Sequence, residues 1–135
     1  VFYAYDATSW YVDTAVLHNP ETVAVSADGT PLEIDFIDGV YLVSFTTNAD
    51  DIINLPTNVA TDVGRKIKLY AVQGFEIRSA DASATLNNVI IGATNEAAVV
   101  AGTYLELTVA ADNTWLATTS TLIDGTQTKL VPDAV

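Results

Sequence analysis

The chain has 135 residues, half of them hydrophobic and only 16% charged. That length suits one domain with a sizeable core, and the composition excludes a disordered chain. Seventeen Asp and Glu stand against five Lys and Arg, a net charge of −12, which works against nucleic acid and anionic membranes as partners.

Thr, Val, Ala, Asn and Asp are plentiful while Lys and Glu are scarce, poor material for exposed helices and good material for strands joined by turns. Residues 1–25 open with five aromatics, Phe2, Tyr3, Tyr5, Trp10 and Tyr11. Trp10, Val12 and Thr14 alternate with Tyr11, Asp13 and Ala15, which suits a strand. Asn19-Pro20 signals a turn, Val23 and Val25 suggest a short strand, and Asp28-Gly29 reads as a hairpin cue.

Leu32, Ile34 and Phe36 then alternate with Glu33 and Asp35. Asp38-Gly39 turns the chain into Val40–Thr46, where Tyr41, Val43 and Phe45 oppose Val40, Leu42 and Ser44. A strand apolar on both faces is buried on both sides or meets another subunit. Ile52–Leu55 stops at Pro56, which predicts an edge position. Arg65–Val72 reads as a strand with Ile67, Leu69 and Ala71 on one face and Lys66, Lys68 and Tyr70 on the other. Gly74 turns it into Phe75–Ser79, Ser79–Asn88 reads as a small polar stretch, and Val89–Ile91 as a short apolar one. For Asn95–Val100, β-branched Val99 and Val100 favour extended chain.

Ala101–Thr118 is the clearest hairpin. Leu105, Leu107 and Val109 alternate with Glu106 and Thr108, a period of two that puts the apolar set on one face. Ala111-Asp112-Asn113-Thr114 supplies turn chemistry, and Trp115 and Ala117 return on the same sheet. Turn signals at this spacing, without a convincing amphipathic helix, predict an all-β fold: an antiparallel β-sandwich or jelly-roll-like barrel. We expect a single β domain over 1–135, with an aromatic arm over 1–25, a core over 26–125 and a tail over 126–135.

No cysteine is present, so disulfides, Cys-based metal sites and thiol nucleophiles are absent from the chemistry on offer. His18 is the sole histidine, and no glycine-flanked serine of the nucleophile-elbow kind accompanies it. Asp50-Asp51 reads as loop solvation and not as a glycosidase pair, which needs two carboxylates about 5–9 Å apart across a cleft. Asp28, Asp38 and Asp50-Asp51 offer oxygen ligands but lack the twelve-residue spacing of a calcium loop. Arg65, Lys66 and Lys68 read as strand-edge gatekeepers or ion-pair partners for the many acids. No cofactor or metal is expected, and catalysis is not. No apolar run reaches the roughly 20 residues of a membrane helix, and no signal peptide is visible. Val1 is small enough for an initiator Met to be clipped before it, so a whole gene product is expected, with an excised domain as the alternative.

One ordered set of residues resembles a known group. Ile53-Asn54-Leu55-Pro56 is followed by Val63-Gly64-Arg65-Lys66-Ile67, a strand at Phe75–Arg78, Asn87-Asn88-Val89, then Gly102-Thr103-Tyr104 through Asn113-Thr114-Trp115. The order is similar to that of small β modules of tailed-phage virions: capsid decoration (cement) proteins, head fibres, tail-fibre tips and tail-needle knobs. It lies within Ile52–Thr118, and Val1–Ala49 carries none of it. Where such modules often place glycine before the Asn–Trp pair, this chain has Asp112.

The resemblance implies a non-catalytic homotrimeric structural protein located in the virion, on the capsid exterior or a tail appendage. As a decoration protein its partners would be its own copies and the major capsid protein. As a receptor-binding tip it would take a host-surface glycan or protein. Aromatic side chains anchor interfaces because each buries about 150–250 Å². We therefore expect Phe2, Tyr3, Tyr5, Trp10 and Tyr11 of the arm, with Tyr41, Val43 and Phe45, to make subunit or partner contacts.

Overall fold

The computed structural model describes residues 2–4, 10–12, 21–25, 31–45, 51–92 and 94–134. Fourteen strands account for most of them: β1 (Phe2–Ala4), β2 (Trp10–Val12), β3 (Glu21–Val25), β4 (Leu32–Glu33), β5 (Tyr41–Phe45), β6 (Ile52–Leu55), β7 (Lys66–Ala71), β8 (Phe75–Ser79), β9 (Thr85–Leu86), β10 (Val89–Ile90), β11 (Asn95–Val99), β12 (Thr103–Ala111), β13 (Thr114–Leu122) and β14 (Asp133–Ala134). Among the described residues there is no α-helix, only one 3-10 turn at Ala60–Asp62. The all-β expectation holds.

The strands form a β1–β2 hairpin, a seven-stranded sheet in the order β10-β9-β13-β12-β7-β5-β3, and a five-stranded sheet in the order β14-β11-β8-β6-β4. Both larger sheets are mixed, and neither closes into a barrel; that corrects the barrel and the wholly antiparallel pairing read from the turns, and leaves the two-sheet arrangement of a sandwich. From β3 to β8 the chain changes sheet at every connection. β3, β5 and β7 run parallel in one sheet, and β4, β6 and β8 run parallel in the other. The result is a two-sheeted winding. It ends when β11 pairs antiparallel with β8, and β12 pairs antiparallel with β7.

One turn reading changes with it. Asp28-Gly29 is the hairpin cue, yet β3 and β4, the strands on either side of it, lie in different sheets, whereas the chain bends at Asp38-Gly39 into β5 as expected. Period two fixes which side chains share a face, not which strand lies alongside. Pro56 likewise follows a strand inside its sheet and not at its edge: β6 lies between β8 and β4.

The core follows from alternation. Ile67, Leu69 and Ala71 of β7 and Leu105, Leu107 and Val109 of β12 meet Ile53 and Leu55 of β6, Phe75 and Ile77 of β8 and Ala97 and Val99 of β11. Tyr41, Val43, Leu86, Trp115 and Leu130 complete it. Each buried aliphatic side chain contributes about 1.5–3 kcal/mol relative to exposure.

The predicted hairpin is present as β12 and β13, antiparallel, with Ala111 opposite Thr114. Its turn residue Asn113 has φ +49°, which Asn tolerates better than most side chains. The stretch read as polar, Ser79–Asn88, holds a second tight turn: Leu86 pairs with Val89 across Asn87 and Asn88, both at positive φ.

Candidate interaction surfaces

The alternation that buries one side of β7, β8 and β12 leaves their other side outward, while β6 is buried on both sides. On the outer face of the seven-stranded sheet, Leu42 lies opposite Tyr70, Tyr70 opposite Tyr104, and Tyr104 opposite Thr121. These four partly exposed side chains form one transverse row across β5, β7, β12 and β13. The next row places Lys68 opposite Glu106 and Glu106 opposite Thr119. Lys66 Nζ donates to Glu106 Oε1 at 2.6 Å. Burial raises the Tyr104 hydroxyl pKa, and the Glu106 charge adds to the effect.

The outer face of the five-stranded sheet carries a different row. Glu33 lies opposite Asn54, Asn54 opposite Arg78, and Glu96 opposite Asp133. Asn54 Nδ2 donates to Glu33 Oε1 at 2.6 Å, and Arg78 Nε donates to Glu96 Oε2 at 2.7 Å. Arg78 Nη2 contacts the same carboxylate oxygen. The row thus crosses all five strands. Glu76 stands beside it, its carboxyl pKa raised by burial and by the charges of Glu96 and Asp133, with Arg78 opposing.

At one end of the body a groove of about 620 Å³ runs between Gln73–Glu76 and Ala98–Ala101, with Asp51 at its wall. Val72 and Val100 are exposed beside it. Ile123, 82% exposed, covers Gly102, whose missing Cβ would meet Ile123 Cγ2 at 3.6 Å. Elsewhere Arg65 sits 3.8 Å above the Phe36 ring, which in turn stacks on Trp115.

Of the residues predicted to contact partners, Tyr41 and Val43 are 5% and 0% exposed inside the chain's own core. Their alternation marked burial, and the partner that buries them is β7 and the core of the same chain. They have almost no surface left for a second molecule, which corrects that expectation. The backbones of Phe2, Tyr3, Trp10 and Tyr11 lie in the β1–β2 hairpin, and that of Phe45 in β5; their side chains lie outside the described residues, as do Tyr5, His18, Asp28 and Asp50.

Arg65 pairs with Asp62 at 2.9 Å and Lys66 with Glu106, so the ion-pair reading fits these two cations, while Lys68 has no ion pair among the described residues. The gatekeeper reading does not, because β7 is central, between β12 and β5. Among the described residues no group of three or more His, Asp or Glu is placed to hold a metal ion. Sequence reasoning missed the Glu33–Asp133 row. The polar strand positions were visible, but only the strand order aligns them. The chain matches no protein-family model, no curated protein and no solved structure.

Proposed function

We propose that this chain is a non-catalytic structural protein of a tailed-phage virion, a decoration protein that assembles as a homotrimer and stabilises the head by bridging major capsid subunits. The observation that carries the reading is the outer face of the seven-stranded sheet, where Leu42, Tyr70 and Tyr104 stand in one row. Aromatic and aliphatic side chains on a flat sheet face suit a broad protein contact better than a reaction cleft. The motif order from Ile53 to Trp115 supports the same reading by resemblance. Occupancy would stabilise the capsid by mass action, since a ligand that binds only the assembled state shifts the equilibrium toward it. A stable contact needs about 800 Å² per partner, and the aromatic arm over Phe2–Tyr11 supplies further candidate anchors.

The test is to mix the purified chain with undecorated capsids, then measure binding and capsid melting, with light scattering for the free oligomer. Trimers that bind and raise the melting temperature support the proposal. A monomer that ignores capsids overturns it. Removing Val1–Tyr11 should abolish binding or assembly if the arm is a contact.

A second reading has its own observation. The groove flanked by exposed Val72 and Val100 suits the receptor-binding tip of a tail fibre or needle, with a host glycan or protein as ligand. Glycan-array binding lost in Val100→Asp would favour this reading over decoration. A glycan hydrolase is the third and least supported, because its carboxylate pair would have to face one another across the groove.

A further inference from the structure

The two outer faces differ in charge as well as in shape. Among the described residues, the face of the seven-stranded sheet carries Lys66 and Lys68 against Glu106 alone, around the Tyr70–Tyr104 pair. The face of the five-stranded sheet carries Glu33, Glu76, Glu96 and Asp133 against Arg78 alone. The opposite signs are uneven: a chain of net charge −12 with five cations has placed two of them on adjacent same-side positions of one strand. We infer that the Lys68–Tyr70–Tyr104 face of one copy docks on the Glu33–Asp133 face of another copy of this chain. The occupant is a second copy because the complementary surface is already present on the molecule.

Whole copies repel at −12, but screening limits that repulsion to about 10 Å at 0.1 M salt. At contact the facing patches dominate, and they attract. Lys68 has no ion pair among the described residues, so it can meet a carboxylate from outside without breaking an internal pair. Tyr70 and Tyr104 supply amphipathic anchors at the centre, where interface energy concentrates. Because the two patches differ, the contact is heterologous, and its closure angle sets the number of copies. The inference deepens the self-association part of the proposed function and is independent of the capsid.

The experiment uses the full chain with Lys68→Glu, Asp133→Lys and the two combined, followed by sedimentation velocity over a wide concentration range. Circular dichroism and melting temperature check that each variant keeps the native fold. Each single variant should weaken association at least tenfold, and the combined variant, in which the charges are exchanged, should recover most of it. Tyr104→Ser should weaken association without recovery by either charge change. Association unaffected by the single variants, or not recovered in the combined one, overturns the face assignment alone. A native chain that stays monomeric at all concentrations overturns both the assignment and the trimeric reading.

Discussion

Phe36 stacks on Trp115, ring centroids 5.6 Å apart and planes inclined by 23°. The pair joins the β4–β5 connection to the hairpin strand β13, which lies far away in sequence. Arg65, itself bonded to Asp62, lies over the Phe36 ring at 3.8 Å, so Phe36 meets both a cation and an indole. Trp115 is fully buried, and Trp115→Ala should cost about 3–5 kcal/mol in urea unfolding. Phe36→Ala should cost less, since Phe36 is only partly buried. Arg65→Ala should cost no more than about 1 kcal/mol, the range for an exposed cation–π contact.

Gly92 packs against Ala82 closely enough that a Cβ would stand 2.7 Å from Ala82 Cα and 2.8 Å from its carbonyl oxygen. Both atoms are backbone and cannot swing aside. Gly92→Ala should destabilise by about 1–3 kcal/mol through overpacking. Gly64→Ala makes the contrast: its surroundings are open, but φ is +88°, so only the left-handed penalty of about 1–2 kcal/mol applies. Thermal melts of the two variants check the pair.

Asn87 bonds in both directions from one turn. Its Nδ2 donates to the Leu130 carbonyl at 2.7 Å, and its Oδ1 accepts the Ala117 amide at 3.0 Å. It therefore ties the C-terminal segment to β13 and the β9–β10 turn. Asn87→Ala loses both bonds and places alanine at φ +51°, a combined cost of about 2–4 kcal/mol. Amide exchange should rise at Ala117 and through Thr128–Leu130 before it rises in β7.

Acid and neutral pH act on different carboxylates. A hydrogen bond from the Val59 amide, then one from Arg65, holds Asp62 below the usual carboxylate range. Ser83 does the same for Asp81, and the Thr126 amide for Asp124. These three groups stabilise the fold above the ordinary Asp pKa, and that contribution fades as pH falls through their lowered values. Glu76 has the opposite sign. Its raised pKa means the folded state holds the proton more tightly than the unfolded chain, so the group costs stability once pH rises through that value. Glu76→Gln should therefore raise the melting temperature at pH 7 and leave it nearly unchanged at pH 3. A variant no more stable at pH 7 than the native chain would refute this account of Glu76.

Side-chain alternation was legible wherever tertiary neighbours merely confirmed it. Ile67, Leu69 and Ala71 and the β12–β13 hairpin required only period two and one turn. Pairing across the winding was not legible. Leu32 lies beside Ile53 and Ile53 beside Ile77, and nothing local in any of those segments names its neighbour. Ser79–Asn88 reads from the sequence only as a small polar stretch, although Asn87 and Asn88 accept positive φ readily and are a signal for a turn between short strands. Phe36 continues a strand-like alternation, yet β4 ends at Glu33 and the Phe36 ring stacks on Trp115. The Glu33–Asp133 row is a property of strand order alone.

The two-sheeted winding has a consequence for how such a chain can change. Within the winding each sheet pairs strands two elements apart in the chain, β3 with β5 and β5 with β7, β4 with β6 and β6 with β8, so contacts run from coil to coil as in stacked repeat proteins. A pair of strands could be added or removed as a block, lengthening or shortening the body while the antiparallel strands at the far end stay as they are. Evolution would then tune reach and surface separately: height through the number of coils, recognition through the residues that happen to line up across them.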